Sequence, residues 1–351
     1  MQLDVKLKKT FKDFTLDVAF SLSSSRTGIF GPSGSGKSTI MNLLSGLEMP
    51  DSGHIRLGDT ILFDAKRKIN LKPDKRNIGV VFQAAHLFPH MSVKRNIFYG
   101  YKRVKPENRQ IDPGGLFEAL GIAHLLSRDV YRLSGGERQR IALARTVLSN
   151  PRLILMDEPL SALDEGHKFQ IIPYLKNVFN NYSIPMIFIS HSVLEMRMMT
   201  DEVLVLEKGC IQQRSTAEEL VKRSWNHGLG SYINLIHLGD CSPYKDLFRY
   251  KWGDANLILT ESGGSGENLF ELDSRDILLF KRHPEATSAR NLLQCTVTDI
   301  YSSGNRVRVE LACGRERLIA QIVPESLSEL GIEKGTMVVA AIKASAFKKI
   351  L

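Results

Sequence analysis

Two hydrophobic patterns alternate along the first two-thirds of the chain. Short, nearly continuous apolar runs, which are typical of buried strands, occur at 27–30, 78–82, 153–156, 185–190 and 203–206. Between these runs, apolar residues recur at the spacing of one helix face, over 40–47, 116–126 and 141–148. Strands that alternate with helices predict an α/β fold.

Strict alternation of apolar and polar residues occurs at both ends of the chain. Residues 2–8 and 14–22 predict two half-buried strands that pair as an antiparallel layer. After a stretch rich in Gly, Asn, Asp and Ser, short alternating strands recur between glycine turns, at 293–297, 307–311, 318–323 and 337–342. This spacing predicts a small β-barrel.

The chain is therefore predicted to contain two folded parts, for which 351 residues are sufficient. We place the α/β domain at 1–229. A linker and the first part of a β-rich domain follow at 230–284, and the barrel itself covers 285–351. Within the linker, the Ser-Gly-Gly-Ser-Gly segment at 262–266 predicts a flexible loop.

Composition narrows the class of protein only slightly. The hydrophobic content of 43% is ordinary for a soluble globular protein. A net charge of +9 fits nucleic acid, an anionic membrane surface or a solvated basic face. The sequence has neither a membrane-spanning apolar run nor a signal-peptide pattern, so we expect a cytoplasmic chain. We also expect reduced thiols at four widely spaced cysteines, Cys210, Cys241, Cys295 and Cys313.

The most specific motif lies between the first apolar run and the first predicted helix, and it matches the template G-x-x-x-x-G-K-[ST]. It comprises Gly31, Pro32, Ser33, Gly34, Ser35, Gly36, Lys37, Ser38 and Thr39. Backbone N–H groups of such a loop surround a polyphosphate, and the helix N-terminus adds positive potential. We expect Lys37 to reach the β- and γ-phosphates and the Ser38 hydroxyl to bind Mg²⁺. The sequence therefore predicts a nucleoside triphosphate site.

Four polar residues, Gln83, Asp157, Glu158 and His191, lie at the carboxyl ends of other predicted strands. In α/β folds this edge of the sheet borders the ligand crevice. Asp157 is expected to bind Mg²⁺, and Glu158 to polarise the attacking water. His191 is expected to sense the γ-phosphate.

A second anion-binding segment precedes the predicted helix at 141–148. Ser134, Gly135 and Gly136 would present backbone donors at a helix N-terminus. Near the N-terminus of the chain, an aromatic ring could stack on the base of the nucleotide. Phe11 is the first candidate for this contact and Phe14 the second.

These motifs together resemble those of the ABC-transporter ATPases, across residues 1–225. Their order is P-loop, Gln83, LSGGERQR at 133–140, Asp157-Glu158, Ser161-Ala-Leu-Asp164 and His191. The resemblance implies a P-loop fold with a RecA-like core, an antiparallel β layer and a helical subdomain. It also implies an active ATPase with ATP and Mg²⁺ as cofactors.

In that family the ATPase works as a head-to-tail homodimer. The resemblance implies that the Ser134-Gly135-Gly136 segment of one chain covers the triphosphate on the P-loop of the other. Asp164 would link the two sites, and Gln83 would contact both the metal and the transport partner. The apolar residues Leu87, Phe88 and Met91 form a predicted exposed loop after Gln83. Such residues suggest a partner surface, although they could also pack on the helical subdomain.

The predicted barrel resembles the OB-like TOBE and Mop domains that bind oxyanions. A tetrahedral dianion needs several convergent donors. The resemblance implies such a site at two segments that flank the barrel strands, made of Ser288, Arg290, Asn291, Lys343 and Ser345. The alternative is that these residues only hold strand ends in a barrel that binds nothing.

The whole chain resembles the ATPase subunits of molybdate importers. This resemblance implies a homodimer that binds two copies of a membrane permease at the cytoplasmic face of the inner membrane. A periplasmic oxyanion-binding protein would act through the permease, and nucleic acid would not be a partner.

Three alternatives remain open from the sequence. The first is the same mechanism with tungstate, sulfate or thiosulfate, ferric ion or polyamine as cargo. The second is a soluble DNA-repair or translation ATPase, but the coiled-coil insertion or second cassette usual in those proteins is missing from this sequence. The third is a regulator that binds oxyanion without pumping, against which the intact Glu158 and His191 argue.

Overall fold

The computed structural model describes residues 2–160, 165–182, 184–220, 232–263 and 268–350. The chain divides into two compact units, Met1–Leu220 and Val221–Leu351.

The first unit contains two sheets and several helices. Its described strands are β1 (Leu3–Thr10), β2 (Thr15–Leu22), β3 (Arg26–Phe30), β4 (Ser52–Leu57), β5 (Thr60–Asp64), β6 (Ile69–Asn70), β7 (Ile78–Val81), β8 (Leu153–Asp157), β9 (Met186–Ser190), β10 (Glu202–Glu207) and β11 (Cys210–Ser215). Its described α-helices are α1 (Lys37–Ser45), α2 (Val93–Tyr101), α3 (Pro113–Ala119), α4 (Gly135–Leu148), α5 (Glu165–Tyr182) and α6 (Val193–Met199).

The central sheet has the strand order β11-β10-β3-β9-β8-β7. All neighbouring strands are parallel except the β10–β11 pair. Every residue of β9 is buried, as is every residue of β8 before its terminal Asp157, which is the pattern of a sheet covered on both faces. The predicted α/β fold is therefore confirmed, and the carboxyl ends of β3, β7, β8 and β9 lie along one edge.

The second sheet of this unit, in the order β2-β1-β4-β5-β6, is antiparallel. Alternate residues of β2 are buried, as the period of two predicts. Its apolar face shares a core with α1 and with strands of the central sheet. The predicted antiparallel layer is thus confirmed.

The predicted helix at 116–126 is shorter than its apolar spacing suggested. The helix α3 ends at Ala119, and a single 3₁₀ turn follows at Ala123–Leu125. Between them Gly121 adopts a left-handed conformation, with φ of +59°. A residue in that conformation ends an α-helix.

The second unit is rich in β structure, and every strand pair described in it is antiparallel. Its described elements are β12 (Ile233–Leu238), β13 (Cys241–Tyr244), β14 (Leu247–Trp252), β15 (Ala255–Leu259), β16 (Asn268–Asp273), β17 (Ile277–Phe280), β18 (Asn291–Ser303), β19 (Arg306–Cys313), β20 (Glu316–Ile322), α7 (Pro324–Glu329), β21 (Met337–Ile342) and β22 (Lys348–Lys349). The largest sheet has the order β17-β21-β18-β19-β20.

The segment 230–284, predicted as a linker and the first part of a β-rich domain, contains six strands. Their apolar residues, such as Tyr250, Trp252 and Phe270, share one core with Val307 and Ile342. The strands are short, and five of the six contain polar residues. Ile277-Leu-Leu-Phe280 is an apolar run like those that marked strands in the first unit.

The expectation of four reduced thiols is wrong for two of them. Cys295 and Cys313 lie on adjacent strands and form a disulfide, 18 residues apart in sequence. Their strands form one hairpin, in which the register shifts between Val297 and Asp299, and cysteine spacing alone does not indicate this register. Cys210 and Cys241 are free thiols.

Candidate nucleotide site and a second polar pocket

The P-loop lies where β3 leads into α1. Gly34 and Gly36 have φ values of +77° and +105°, which side chains rarely adopt. At Gly31 an added Cβ would lie 2.1 Å from the carbonyl oxygen of Leu206, so only glycine fits against this neighbouring strand. These glycines therefore explain how the backbone turns tightly before α1 begins at Lys37.

An open pocket of about 440 Å³ lies over this loop. Its lining combines P-loop residues with an aromatic ring and the ends of β7 and β8: Phe14, Ser33, Gly34, Gly36, Lys37, Ser38, Thr39, Gln83, Asp157 and Glu158. Parallel pairing explains why Gln83 lies near the two carboxylates, since Val81 near the end of β7 is in register with Met156 near the end of β8. The pocket has the lining of a polyphosphate site, with backbone donors on one side and carboxylates on the other.

Lys37 is folded back on its own loop. Its ammonium group donates hydrogen bonds to the carbonyl oxygens of Gly31 and Pro32, both at 2.9 Å. Burial lowers the pKa of this ammonium, while Glu158 and Asp157 oppose the shift. Phosphate oxygens in the pocket would offer Lys37 charged acceptors in place of neutral carbonyls, and hydrogen bonds between charged groups are the stronger kind.

Asp157 and Ser38 are hydrogen-bonded neighbours in the pocket. Burial raises the pKa of the Asp157 carboxyl group, whereas the bond from Ser38 lowers it. A buried carboxylate beside a hydroxyl is a fitting ligand set for a hard divalent cation, which would offset the desolvation. Gln83 adds an amide oxygen on the same lining. Among the described residues, no group of three or more His, Cys, Asp or Glu side chains is arranged to hold a metal ion. Remaining ligands for Mg²⁺ would therefore be water and phosphate, as is usual for this ion.

Glu158 has an unusual backbone conformation, with φ of +44°. Its N–H donates to the carbonyl oxygen of Ile189 at 2.9 Å, which holds this strained residue against β9. One carboxylate oxygen, Oε1, lies 3.3 Å from Nδ1 of His191. The carboxylate that lines the pocket is thus oriented by a histidine whose side chain is 60% exposed.

The two aromatic candidates differ in position. Phe14 lines the pocket and packs against Gly36, where an added Cβ would lie 2.9 Å from the ring. Phe11 is 37% exposed and does not belong to the lining; the two ring centroids are 6.2 Å apart. The ring next to the P-loop is therefore that of Phe14, and Phe11 extends the aromatic surface outward.

Ser134 caps α4 in a reciprocal arrangement. Its hydroxyl accepts from the N–H of Glu137 at 3.2 Å, and its own N–H donates to that carboxylate at 2.7 Å. Ser134 is exposed, and none of Ser134, Gly135 and Gly136 lines the pocket over the P-loop. The two anion-binding segments of one chain are therefore not brought together. Asp164, predicted to link two sites, lies outside the described residues.

The loop at 83–92 is more firmly packed than predicted. Leu87, Phe88 and Met91 are half-buried rather than exposed. Asn96 holds the loop in this packed position, because its fully buried side chain bonds both the N–H and the carbonyl oxygen of Phe88. The Phe88 ring also packs on Tyr99, with 4.7 Å between centroids.

Arg145 of α4 fastens the same loop from the other side. Its guanidinium donates to the carbonyl oxygens of Ala85 and His86, at 3.2 and 3.0 Å. It also lies 5.2 Å from the centroid of the Phe88 ring. The helix that begins next to Ser134 thus holds the loop that begins at Gln83. Arg145 could not be identified from the sequence, because only the three-dimensional packing relates it to the loop.

Arg76 is a second residue that sequence reasoning missed. It is 1% exposed, and its guanidinium donates to the carbonyl oxygens of Leu43 and Leu44 at the end of α1. These bonds satisfy groups that a helix leaves without intrahelical partners. Arg76 therefore fixes the far end of the helix that carries Lys37.

The second unit has a polar pocket of about 310 Å³. Three predicted oxyanion residues, Ser288, Lys343 and Ser345, line it. Its other lining residues are Arg275, Asp276, Leu278, Thr287, Ala289, Ala341 and Ala346.

Two of the predicted oxyanion residues do not line this pocket. Arg290 is exposed beside it. Asn291 is buried, and its side chain bonds both the N–H and the carbonyl oxygen of Ile258, so it joins two strands. Arg275 was not predicted, although Ser274-Arg-Asp-Ile-Leu-Leu279 is similar to Ser288-Ala-Arg-Asn-Leu-Leu293 and could have indicated it.

Among the described residues, the structure contains no helix long and apolar enough to span a bilayer.

Comparison with known families and proteins adds independent findings. Residues 16–161 match the ABC transporter family, and residues 287–348 match the TOBE domain. The molybdenum import ATP-binding protein ModC of Mannheimia succiniciproducens is 37% identical, over 98% of this chain and 99% of that protein. ModC of Brucella abortus is 36% identical over 97% and 96%, and ModC 1 of Azotobacter vinelandii is 35% identical over 97% of each.

Solved structures resemble the chain over its first two-thirds. CbiO1 from Clostridium perfringens, described as part of an ABC transporter complex, has a TM-score of 0.54 at 26% identity, over 65% of this chain and 95% of that one. The ATP-binding cassette MJ0796, solved with ADP and Pi, has a TM-score of 0.52 at 24% identity, over 62% and 99%. The latter likeness supports the fold alone.

Proposed function

The chain belongs to the family of molybdenum import ATP-binding proteins, the ATPases of ABC transporters, and we propose that it hydrolyses ATP to energise molybdate uptake through a membrane permease. The observation that carries this proposal is the pocket in which P-loop, Gln83, Asp157 and Glu158 meet. The relatives described above favour molybdate over sulfate, ferric ion or polyamine as the cargo.

In the proposed mechanism the nucleotide binds along the P-loop. The α1 N-terminus and Lys37 would neutralise the phosphates, and the Phe14 ring next to the P-loop would pack beside the nucleoside, with Phe11 further out. Ser38, Asp157 and Gln83 would hold Mg²⁺, which when bound supplies electrostatic stabilisation to the phosphoryl oxygens. The protein contributes position and charge, which is most of what phosphoryl transfer requires.

Hydrolysis needs a group that activates water, and Glu158 is the proposed base. Its carboxylate lines the pocket and its backbone is anchored to β9. His191 lies 3.3 Å from that carboxylate. From there it would orient Glu158 and approach the γ-phosphate.

Two chains are needed in this proposal. The Ser134 hydroxyl and the N–H groups of Gly135 and Gly136 lie at the N-terminus of α4, and the pocket of their own chain does not include them. In a head-to-tail homodimer they would face the triphosphate on the other chain, and Asp164 would lie near the second site. Each site would then be complete only when the dimer is closed, so that ATP binding is converted into motion.

The motion would reach the permease through the loop at 83–92. The proposed complex contains two ATPase chains and two permease copies on the cytoplasmic face of the membrane. A periplasmic oxyanion-binding protein would deliver the cargo from the opposite side.

Replacement of Arg145 tests this route. Arg145→Ala removes two hydrogen bonds to loop carbonyls and the contact with Phe88. We expect nucleotide binding to persist, while the stimulation of ATPase by the permease falls at least about tenfold, because each lost hydrogen bond from the charged guanidinium is worth about 1.5–3 kcal/mol. The assay compares ATP turnover with and without permease in detergent or nanodiscs.

Arg152→Ala is the matched control, since Arg152 also donates to a backbone carbonyl, that of Leu57, but remote from the loop. Equal loss of stimulation in both variants would contradict a specific role for Arg145.

We propose in addition that the second pocket binds the transported oxyanion and so reports its cytoplasmic level. Lys343 supplies charge, and Ser288 and Ser345 supply hydroxyl donors on one lining. Arg275 contributes less charge than its type suggests, because Asp273 forms a salt bridge with it. Arg290 would lie at the entrance of the pocket, and Asn291 would hold together the two strands that it joins.

Molybdate titration of the full chain tests this pocket. We expect molybdate to raise the melting temperature by mass action, and Lys343→Gln to remove most of the shift. Arg290→Gln is the control with the same loss of charge outside the lining. A shift that persists in Lys343→Gln but disappears in Arg290→Gln would move the site away from this pocket.

A further inference from the structure

A basic surface on and after α2 carries much of the charge of the chain. Residues 93–109 contain six Lys or Arg residues and one Glu, hence a net charge of +5 out of +9 for the whole chain. The six are Lys94, Arg95, Lys102, Arg103, Lys105 and Arg109, and all are exposed. None of the six forms an ion pair with another described residue. This basic surface is therefore available to an external anion.

Two tyrosines lie within the basic surface. The Arg103 guanidinium is 4.2 Å from the ring centroid of Tyr99 and donates to its hydroxyl at 3.1 Å. Arg109 lies 4.5 Å from the centroid of Tyr101. Tyr99 is 37% exposed. Arg and Tyr side chains each have an apolar body and a polar end, and side chains of this kind are common at membrane interfaces.

The basic surface adjoins the loop that is proposed to contact the permease, since Tyr99 packs on Phe88. We infer that the basic surface binds the anionic lipid headgroups of the membrane in which the permease lies. An acidic permease loop is the less fitting partner, because cytoplasmic loops of membrane proteins carry an excess of Lys and Arg. The complementary charge at that face is the lipid phosphate, which attracts clustered basic side chains.

The lipid contact would act with the permease contact. Each alone can be weak, because two linked binding events reinforce one another. The lipid contact would also depend on salt, because exposed charges are screened beyond about 8 Å at physiological ionic strength. This inference uses the proposed function only to place the chain beside a membrane.

The test is sedimentation of the full chain with vesicles of phosphatidylcholine, with or without about one-third phosphatidylglycerol. We expect binding to the anionic vesicles, weakened by salt, and none to the neutral ones. Lys102→Glu combined with Lys105→Glu should lower the partition coefficient about tenfold or more. Lys66→Glu combined with Lys72→Glu changes the net charge equally at two other exposed positions and should retain most of the binding.

Equal loss in the two double variants would overturn the inference, since net charge alone would then explain binding. So would the absence of binding to anionic vesicles at low salt. If the Lys102 and Lys105 variant instead fails to bind permease in nanodiscs of neutral lipid, the surface belongs to the protein partner and the lipid inference is wrong. ATP turnover of the isolated chain, measured in parallel, reports separately on the proposed function.

Discussion

Glu158→Gln is expected to leave ATP binding intact and to lower ATP turnover by about 10²–10⁴-fold, the contribution of a well-placed general base. The substitution keeps the shape of the side chain that lines the pocket beside Asp157. It removes the negative charge that accepts a proton from water. Binding is measured with a fluorescent nucleotide and turnover by phosphate release.

A second readout separates this chemical role from a structural one. With hydrolysis blocked, ATP should accumulate in closed sites and stabilise the dimer. The variant should therefore elute as a dimer when ATP is present, and at the same volume as the wild type when ATP is absent. Glu137→Gln serves as a comparison, because Glu137 is another carboxylate, in the first turn of α4, and is assigned no proton transfer. Turnover of Glu158→Gln close to that of the wild type would remove Glu158 from its assigned role.

Ser134→Arg is expected to abolish hydrolysis without preventing nucleotide binding to the P-loop of the same chain. A long cation at the α4 N-terminus would occupy the space that a triphosphate on the other chain requires. The Ser134 cap bond to Glu137 is also lost, at a cost of about 1 kcal/mol, so folding is checked by circular dichroism. Ser134→Ala, which loses the same cap without adding bulk, is the control.

Complementation tests the two-chain site more sharply. Lys37→Ala disrupts the P-loop of the chain that carries the substitution. Ser134→Arg instead disrupts the site whose P-loop belongs to the partner chain. A mixed dimer has one intact site, so an equal mixture should recover about a quarter of the wild-type rate, since half of the dimers are mixed. A mixture that stays inactive while mixed dimers form would contradict the head-to-tail arrangement.

The grouping of Gln83, Asp157 and Glu158 around the P-loop could be predicted from the sequence. Each lies at the carboxyl end of an apolar run, and parallel strands bring such ends to one edge. The state of Lys37 could not be predicted in this way. Whether its ammonium contacts loop carbonyls or a ligand depends on distances of a few ångströms that no motif encodes.

Long-range packing limits the sequence prediction elsewhere. Arg145 and Arg76 donate hydrogen bonds to backbone carbonyl oxygens that are far away in sequence. Every residue has such a carbonyl, so the sequence does not indicate which of them accept these bonds. The pairing of Cys295 with Cys313 depends on the register of β18 and β19, which a turn and many side chains determine together. Within 230–284 the sequence indicated β structure in general but not the six individual strands, because most of them interleave polar residues with apolar ones.

The second pocket is an intermediate case. Ser288 and Lys343 could be placed together because two flanking segments matched a known domain. The assignment of Arg290 and Asn291 to the lining came from the same resemblance. In the structure the Asn291 side chain bonds the backbone of Ile258, and a strand-joining role and a ligand role are indistinguishable in one sequence.

The most direct test of the central claim is uptake of labelled molybdate into proteoliposomes that contain the chain, its permease and its oxyanion-binding protein. ATP is supplied on the side of the ATPase chain. We expect ATP-dependent accumulation of molybdate, competed poorly by sulfate and lost with Glu158→Gln. Accumulation that persists with Glu158→Gln, or transport of sulfate in preference to molybdate, would contradict the central claim.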